Sequence, residues 1–148
     1  MLTKDIESNV VPMEFAEHAA RTANGSYTQG LRKNMRRKEL VTLFLIHVSA
    51  INTNLKLKWS TCEDHGGEYA DITEGTMKAI PGSGEGGAIG AVASVDGEHT
   101  ITEVGTYALQ IPGGLYKQFL SHNHQTTGGA ATFGILAVAT GPNLPIAS

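Results

Sequence analysis

Two histidines carry the best chemistry in this chain. His122 and His124 stand two residues apart in Ser121-His-Asn-His124. On a strand, positions i and i+2 share a face, so both imidazoles can reach one metal ion. A third ligand has to come from elsewhere, and His99 is the candidate. The plainer reading is a polar strand end running into the Gly128-Gly129 turn. Cys62, Asp64 and His65 fall in one turn and could pair a thiol with an imidazole, but no third group orients them. A surface turn with an incidental thiol is the simpler account. Gly82-Ser-Gly-Glu-Gly-Gly87 has the glycines of a phosphate-binding loop. It lacks the Gly-Lys-Ser/Thr ending, and Glu85 would repel phosphate. No nucleophile elbow or paired-carboxylate motif is present. The sequence therefore predicts no enzyme, no catalytic residue, no cofactor and no committed metal site.

The other concentration of functional residue types is basic. Arg32, Lys33, Arg36, Arg37 and Lys38 are five of the eleven Lys and Arg residues. Residues 1–38 hold seven basic against four acidic residues, whereas residues 40–148 hold four against nine. A basic leading segment on an acidic body predicts electrostatic docking on a protein partner. A solvated surface ranks second. Nucleic acid ranks last, because no aromatic is interleaved for base stacking.

The elements that must position these residues read as strands. Leu55, Leu57 and Trp59 share one face of a strand, and Lys56, Lys58 and Ser60 share the other. Glu63-Asp64-His65-Gly66-Gly67 turns the chain, and Tyr69 and Ile72 restart the buried face. Leu40–Val48 is rich in β-branched and aromatic residues and reads as a central strand. Glu68–Ala79 and Ala88–Val95 are weaker candidates. Asp96-Gly97 predicts a tight hairpin, with Thr100–Val104 returning from it. Tyr107, Leu109 and Ile111 alternate cleanly, Leu115–Leu120 reads as the next strand, and Ala131–Thr140 is apolar on both faces, as an interior strand is. Trp59, Phe119 and Phe133 read as core. Residues 1–38 differ. Pro12 could open a short helix over 12–24, with Phe15, Ala16, Ala19, Ala20 and Ala23 on one face. An extended arm that orders against a neighbour is the alternative.

At 148 residues the chain has the size of one domain, large enough for a core without disulfides. Its single cysteine excludes an internal disulfide framework. The 18 glycines and the low charged fraction suit many short strands better than a helical bundle. No apolar run approaches the roughly 20 residues of a membrane span, and Met1–Glu7 does not resemble a signal peptide.

The order of these patterns resembles the small, jelly-roll-like β-sandwich proteins that decorate or cement the capsids of tailed bacteriophages. The residues that carry the resemblance are Leu-x-Leu-x-Trp59, the acidic-Gly turn, Tyr69-x-Asp71-Ile72, the Ile111-Pro-Gly-Gly114 turn, Leu115-Tyr-Lys-Gln-Phe-Leu120 and the final small-residue strand. The resemblance spans about residues 40–141. Gly66-Gly67 and Gln118 depart from the group's more usual residues. It implies a virion structural protein, made in the host cytoplasm, that sits on the outer capsid surface and clamps neighbouring major capsid protein subunits, commonly as a trimer.

The expected fold is thus a mainly β, antiparallel β-sandwich with an N-terminal arm. The arm and basic segment occupy 1–38, the body 39–141 and a tail 142–148. The expected interface residues are Phe15, Arg21 and Tyr27 on the arm and Arg32, Lys33, Arg36, Arg37 and Lys38 in the basic segment. A receptor- or carbohydrate-binding β-sandwich of a phage tail or fibre is the alternative function.

Overall fold

The computed structural model describes residues 10–35, 41–82 and 92–140. Arg36, Arg37 and Lys38, most of the glycine loop and the 142–148 tail lie outside the described residues. The described chain forms twelve strands: β1 Val10–Arg21, β2 Thr28–Gln29, β3 Lys33–Asn34, β4 Val41–Ala50, β5 Asn54–Cys62, β6 Ala70–Asp71, β7 Met77–Ala79, β8 Ala93–Val95, β9 Glu98–Ile101, β10 Gly105–Pro112, β11 Phe119–Thr127 and β12 Ala131–Thr140.

They build two antiparallel sheets. One runs β1-β12-β4-β10-β7. The other runs β2-β11-β5-β9-β8, with β3 also on β11 and β6 also on β5. Count β2 and β3 as one interrupted strand and set β6, β7 and β8 aside. The first strand then pairs with the last, the second with the penultimate, β4 with β10 and β5 with β9. A long hairpin rolled onto itself in this way is a jelly roll. The sandwich expectation therefore holds, including the jelly-roll order.

The core lies between the sheets. Phe44, Ile46 and Val48 from β4 meet Leu55, Leu57 and Trp59 from β5, and each is at most 1% exposed. Tyr107, Leu109 and Ile111 extend the same layer from β10. β4 is central and β12 interior, as their apolar composition predicts. The Asp96-Gly97 hairpin also forms, with φ of 50° and 80° at its two residues. Both angles are positive, as the twist-matched two-residue turn demands. A Cβ at Gly97 would lie 2.0 Å from the Ile72 carbonyl oxygen, so the position admits only glycine.

Three expectations need correction. No helix forms over 12–24; that segment is β1, paired with β12 along most of its length. Its alanines stand at helical spacing because two register shifts, between Glu14 and Ala16 and between Ala16 and Ala19, break the period-2 alternation. Residues 10–35 are not a detachable arm either. Phe15 is fully buried, edge-on to Phe44 at 5.0 Å between ring centroids, and Met35 is 2% exposed. Finally, Leu115–Leu120 is not a strand. Gly113–Leu115 is a single 3-10 turn, and β11 begins only at Phe119. β4 and β5 belong to opposite sheets and meet across the core.

Burial on this scale fixes two stability expectations. Phe15→Ala and Trp59→Ala should each cost roughly 3–5 kcal/mol, read as a lowered denaturation midpoint. A chain lacking residues 1–38 should fail to fold. An unchanged midpoint for Phe15→Ala would restore the detachable arm.

Candidate functional site

β1 and β2 are the edge strands on one side of the sandwich, and a cleft of about 680 Å³ opens between them. Its floor is β11. Leu120, His122, His124 and Thr126 alternate towards the sheet interface, because β11 pairs in register with β5 and shares its buried face. His122 is 2% exposed and His124 6%. The two rings stack at 5.6 Å between centroids and 25° between planes. Phe133 closes the site edge-on to both, at 6.1 Å and 5.6 Å, and Phe15 stands 6.1 Å from His122.

The wall across from β1 requires a glycine. Gly30 donates its backbone N–H to the His122 carbonyl at 2.8 Å. A Cβ there would fall 2.1 Å from His122 Cε1. The other wall is β1. Arg21 crosses the Phe133 ring at 4.6 Å and donates to the Phe133 carbonyl at 2.6 Å and to the Glu17 carbonyl. These bonds clamp the irregular stretch of β1 onto β12. Glu14 and Glu17 stand exposed at the mouth, and Lys33 enters half-buried from β3.

Electrostatics follow from this burial. Desolvation holds the His122 pKa down to about 3, and the neighbouring His124, Arg21 and Lys33 push the same way. Burial also lowers that of His124, with Arg21 adding to it. His99 sits in the core, and burial lowers it to about 4 against the opposing pull of Glu98. All three rings are neutral at pH 7.

The same-face expectation for His122 and His124 therefore holds, but the polar strand-end reading does not. They lie mid-strand and buried, not at a polar strand end. His99 does not join them: its Nδ1 is 2.8 Å from Ser94 Oγ, and its ring abuts Trp59. Among the described residues no group of three or more His, Cys, Asp or Glu converges as metal ligands would. His65 packs edge-on to Phe119 at 5.5 Å between ring centroids.

The expected interface residues scatter. Phe15 is core, Arg21 clamps β12 and Lys33 lines the cleft. Tyr27 donates to Glu98 beneath the Lys58 ammonium, which lies 4.3 Å from the ring centroid. Arg32 donates to the His65 carbonyl at 2.6 Å and covers the Tyr69 ring. Of these, Phe15, Arg21, Tyr27 and Arg32 contact the body, and Arg36, Arg37 and Lys38 lie outside the described residues. Glu17, Gln29 and Gly30 carry no local signal as cleft residues, because only the roll brings the two edge strands over β11.

Two outcomes check this site. Histidines held neutral in the fold but ordinary when unfolded, near 6.5, contribute stability above 6.5 that is lost as pH falls towards their folded values. The denaturation midpoint should thus drop between about pH 7.5 and about pH 5, a window in which most carboxylates stay ionised. An unchanged midpoint would contradict neutral burial. Gly30→Ala should destabilise by about 1–3 kcal/mol through overpacking against His122, and full stability in that variant would mean the wall is not tight.

No protein-family profile matches this chain, and no curated protein is similar to it at a significant level. Some solved structures are similar to it at a low level. One is the SPBc2 prophage-derived protein YomS, 14% identical, with 89% of this chain and 93% of that one covered and a TM-score of 0.49. Another is PirA, 12% identical over 86% and 94%, with a TM-score of 0.47. The Bacillus endospore appendages that form disulfide-linked pili are 10% identical over 90% and 88%, also at 0.47. These are β proteins, and at such values the likeness carries no function to this chain.

Proposed function

We propose that this chain is a non-enzymatic virion structural protein, a decoration subunit that assembles with copies of itself and binds the outer surface of an assembled phage capsid. The observation that carries the reading is one row of side chains across the outer face of the β1-β12-β4-β10-β7 sheet. Cross-strand register places Glu14, Leu136, Leu45, Ala108 and Lys78 in line, one from each strand. Leu136 is 43% exposed, and Leu45 and Ala108 are half-buried. Leu43 and Val138, also half-buried, face each other in the parallel row two residues away.

An apolar centre flanked by opposite charges at opposite edges is the pattern of an assembly surface, not of a solvated one. It suits a head-to-tail contact, in which the Glu14 end of one copy meets the Lys78 end of the next. Such a contact closes into a ring when the rotation allows it, and three copies give the trimer implied by the resemblance. A ring presents several equal docking surfaces to a lattice at once, which multiplies weak contacts. Binding only the assembled shell stabilises that shell by mass action. Arg36, Arg37 and Lys38 supply a run of basic residues to meet an acidic capsid partner.

Light scattering coupled to size exclusion, alone and with empty capsids, tests the reading. The full chain should run as three copies and comigrate with capsids. Leu136→Glu should give a folded monomer that no longer comigrates. Neutralising Arg36, Arg37 and Lys38 should leave the oligomer and weaken capsid binding. A monomeric wild type that ignores capsids would overturn the proposal, and glycan binding by that monomer would move the function to a receptor-binding module.

A further inference from the structure

The histidine cleft opens at the β1/β2 edge, whereas the assembly row crosses the outer surface of the first sheet, and the two meet only at Glu14. We propose that it binds a compact ligand bearing one anionic group, a carboxylate or a phosphate, received by the ring N–H groups of His122 and His124 with Lys33 and Arg21 supplying the opposite charge.

Unmet hydrogen bonding leads to this assignment. Among the described residues neither ring nitrogen of His122 has a hydrogen-bond partner, and neither does Nδ1 of His124. Burying such groups unpaired is costly, and native structures rarely tolerate it without a partner that comes from outside the chain. A neutral imidazole offers one N–H donor and one acceptor. Two stacked rings on one strand face, both lining the cleft, can thus each turn one N–H towards a small acceptor there.

The sign of the ligand follows from the charges around them. Arg21 and Lys33 are the charged side chains whose fields reach His122, and both are positive. A cation entering there would meet two cations and no converging ligand set. An anion would meet two donors and two positive charges, a charge-assisted arrangement. Glu14 and Glu17 face the site only from the exposed mouth, where they repel a polyanion and leave a singly anionic ligand favoured. Phe15 and the 71%-exposed Leu31 give such a ligand an apolar wall for the rest of its body. The volume is in the range of small-molecule sites.

The test uses the intact chain and two probes, inorganic phosphate and acetate. Long-range proton–nitrogen spectra separate His122 and His124 from the exposed His47 and His65. Saturable shifts confined to His122 and His124, at millimolar concentration or below, are expected with at least one probe; whichever probe binds identifies the anion class. Lys33→Gln, a half-buried edge position, should weaken the affinity by about tenfold or more, with the Trp59 indole signal in the same spectra reporting that the variant is folded. Should that variant not fold, competition on the wild type decides: the weaker probe must displace the stronger at His122. Shifts that chloride reproduces at equal ionic strength, shifts that never saturate, or binding unaffected by a folded Lys33→Gln would each overturn the site. So would silence towards both anions with a saturable response to Zn²⁺.

Discussion

The pairing of the first strand with the last is the constraint on which the rest depends. A jelly roll is a hairpin wound over itself, and its outermost turn is closed only where β1 lies against β12. Phe15 delivers the energy of that closure by burying a whole ring against Phe44. Arg21 then secures the far end through the Phe133 carbonyl and ring. Phe15 sits in the first of the two register shifts of β1 and Arg21 lies beyond the second, so the strand can bulge there without leaving the sheet.

That bulged edge creates the two surfaces of interest. On the inner side it stands off from β2 and leaves the cleft over His122 and His124. On the outer side it brings Glu14 to the end of the row that runs through Leu136, Leu45 and Ala108 to Lys78. The same strand thus separates a small polar site at the edge from a broad apolar face. Glu14 is where the two meet, at the mouth of the cleft and at the end of the outer row.

Much of the fold was legible in the chain. The alternation of Leu55, Leu57 and Trp59, the two-faced apolar run of β12 and the Asp96-Gly97 turn each obey local rules that the roll leaves intact. β1 was not legible, because its bulges replaced strand spacing with something closer to a helical one. The start of β11 is not legible either, since Leu115 at the end of a 3-10 turn and Tyr116 just after it pack as apolar residues of a strand would. The histidine pair was found as a pair but not as a buried one. Ser121, His122, Asn123 and His124 look like a solvated edge, yet Ser121 and Asn123 are covered too, tied to Ser60 and Gln29 in a hydrogen-bonded layer on the opposite side of the strand. Burial of a polar strand from both sides comes from distant segments, and local sequence carries no record of it.

Zero-length carboxyl–amine cross-linking, read by mass spectrometry on a mixture of isotopically light and heavy chains, tests the central claim most directly. Glu14 and Lys78 stand at opposite edges of a five-stranded sheet, four strand spacings or about 19 Å apart, so no such link can form within one copy. Self-assembly through the outer face of this sheet predicts a mixed light–heavy link between Glu14 and Lys78 that disappears in Leu136→Glu. An oligomer that forms without this link and survives Leu136→Glu would contradict it.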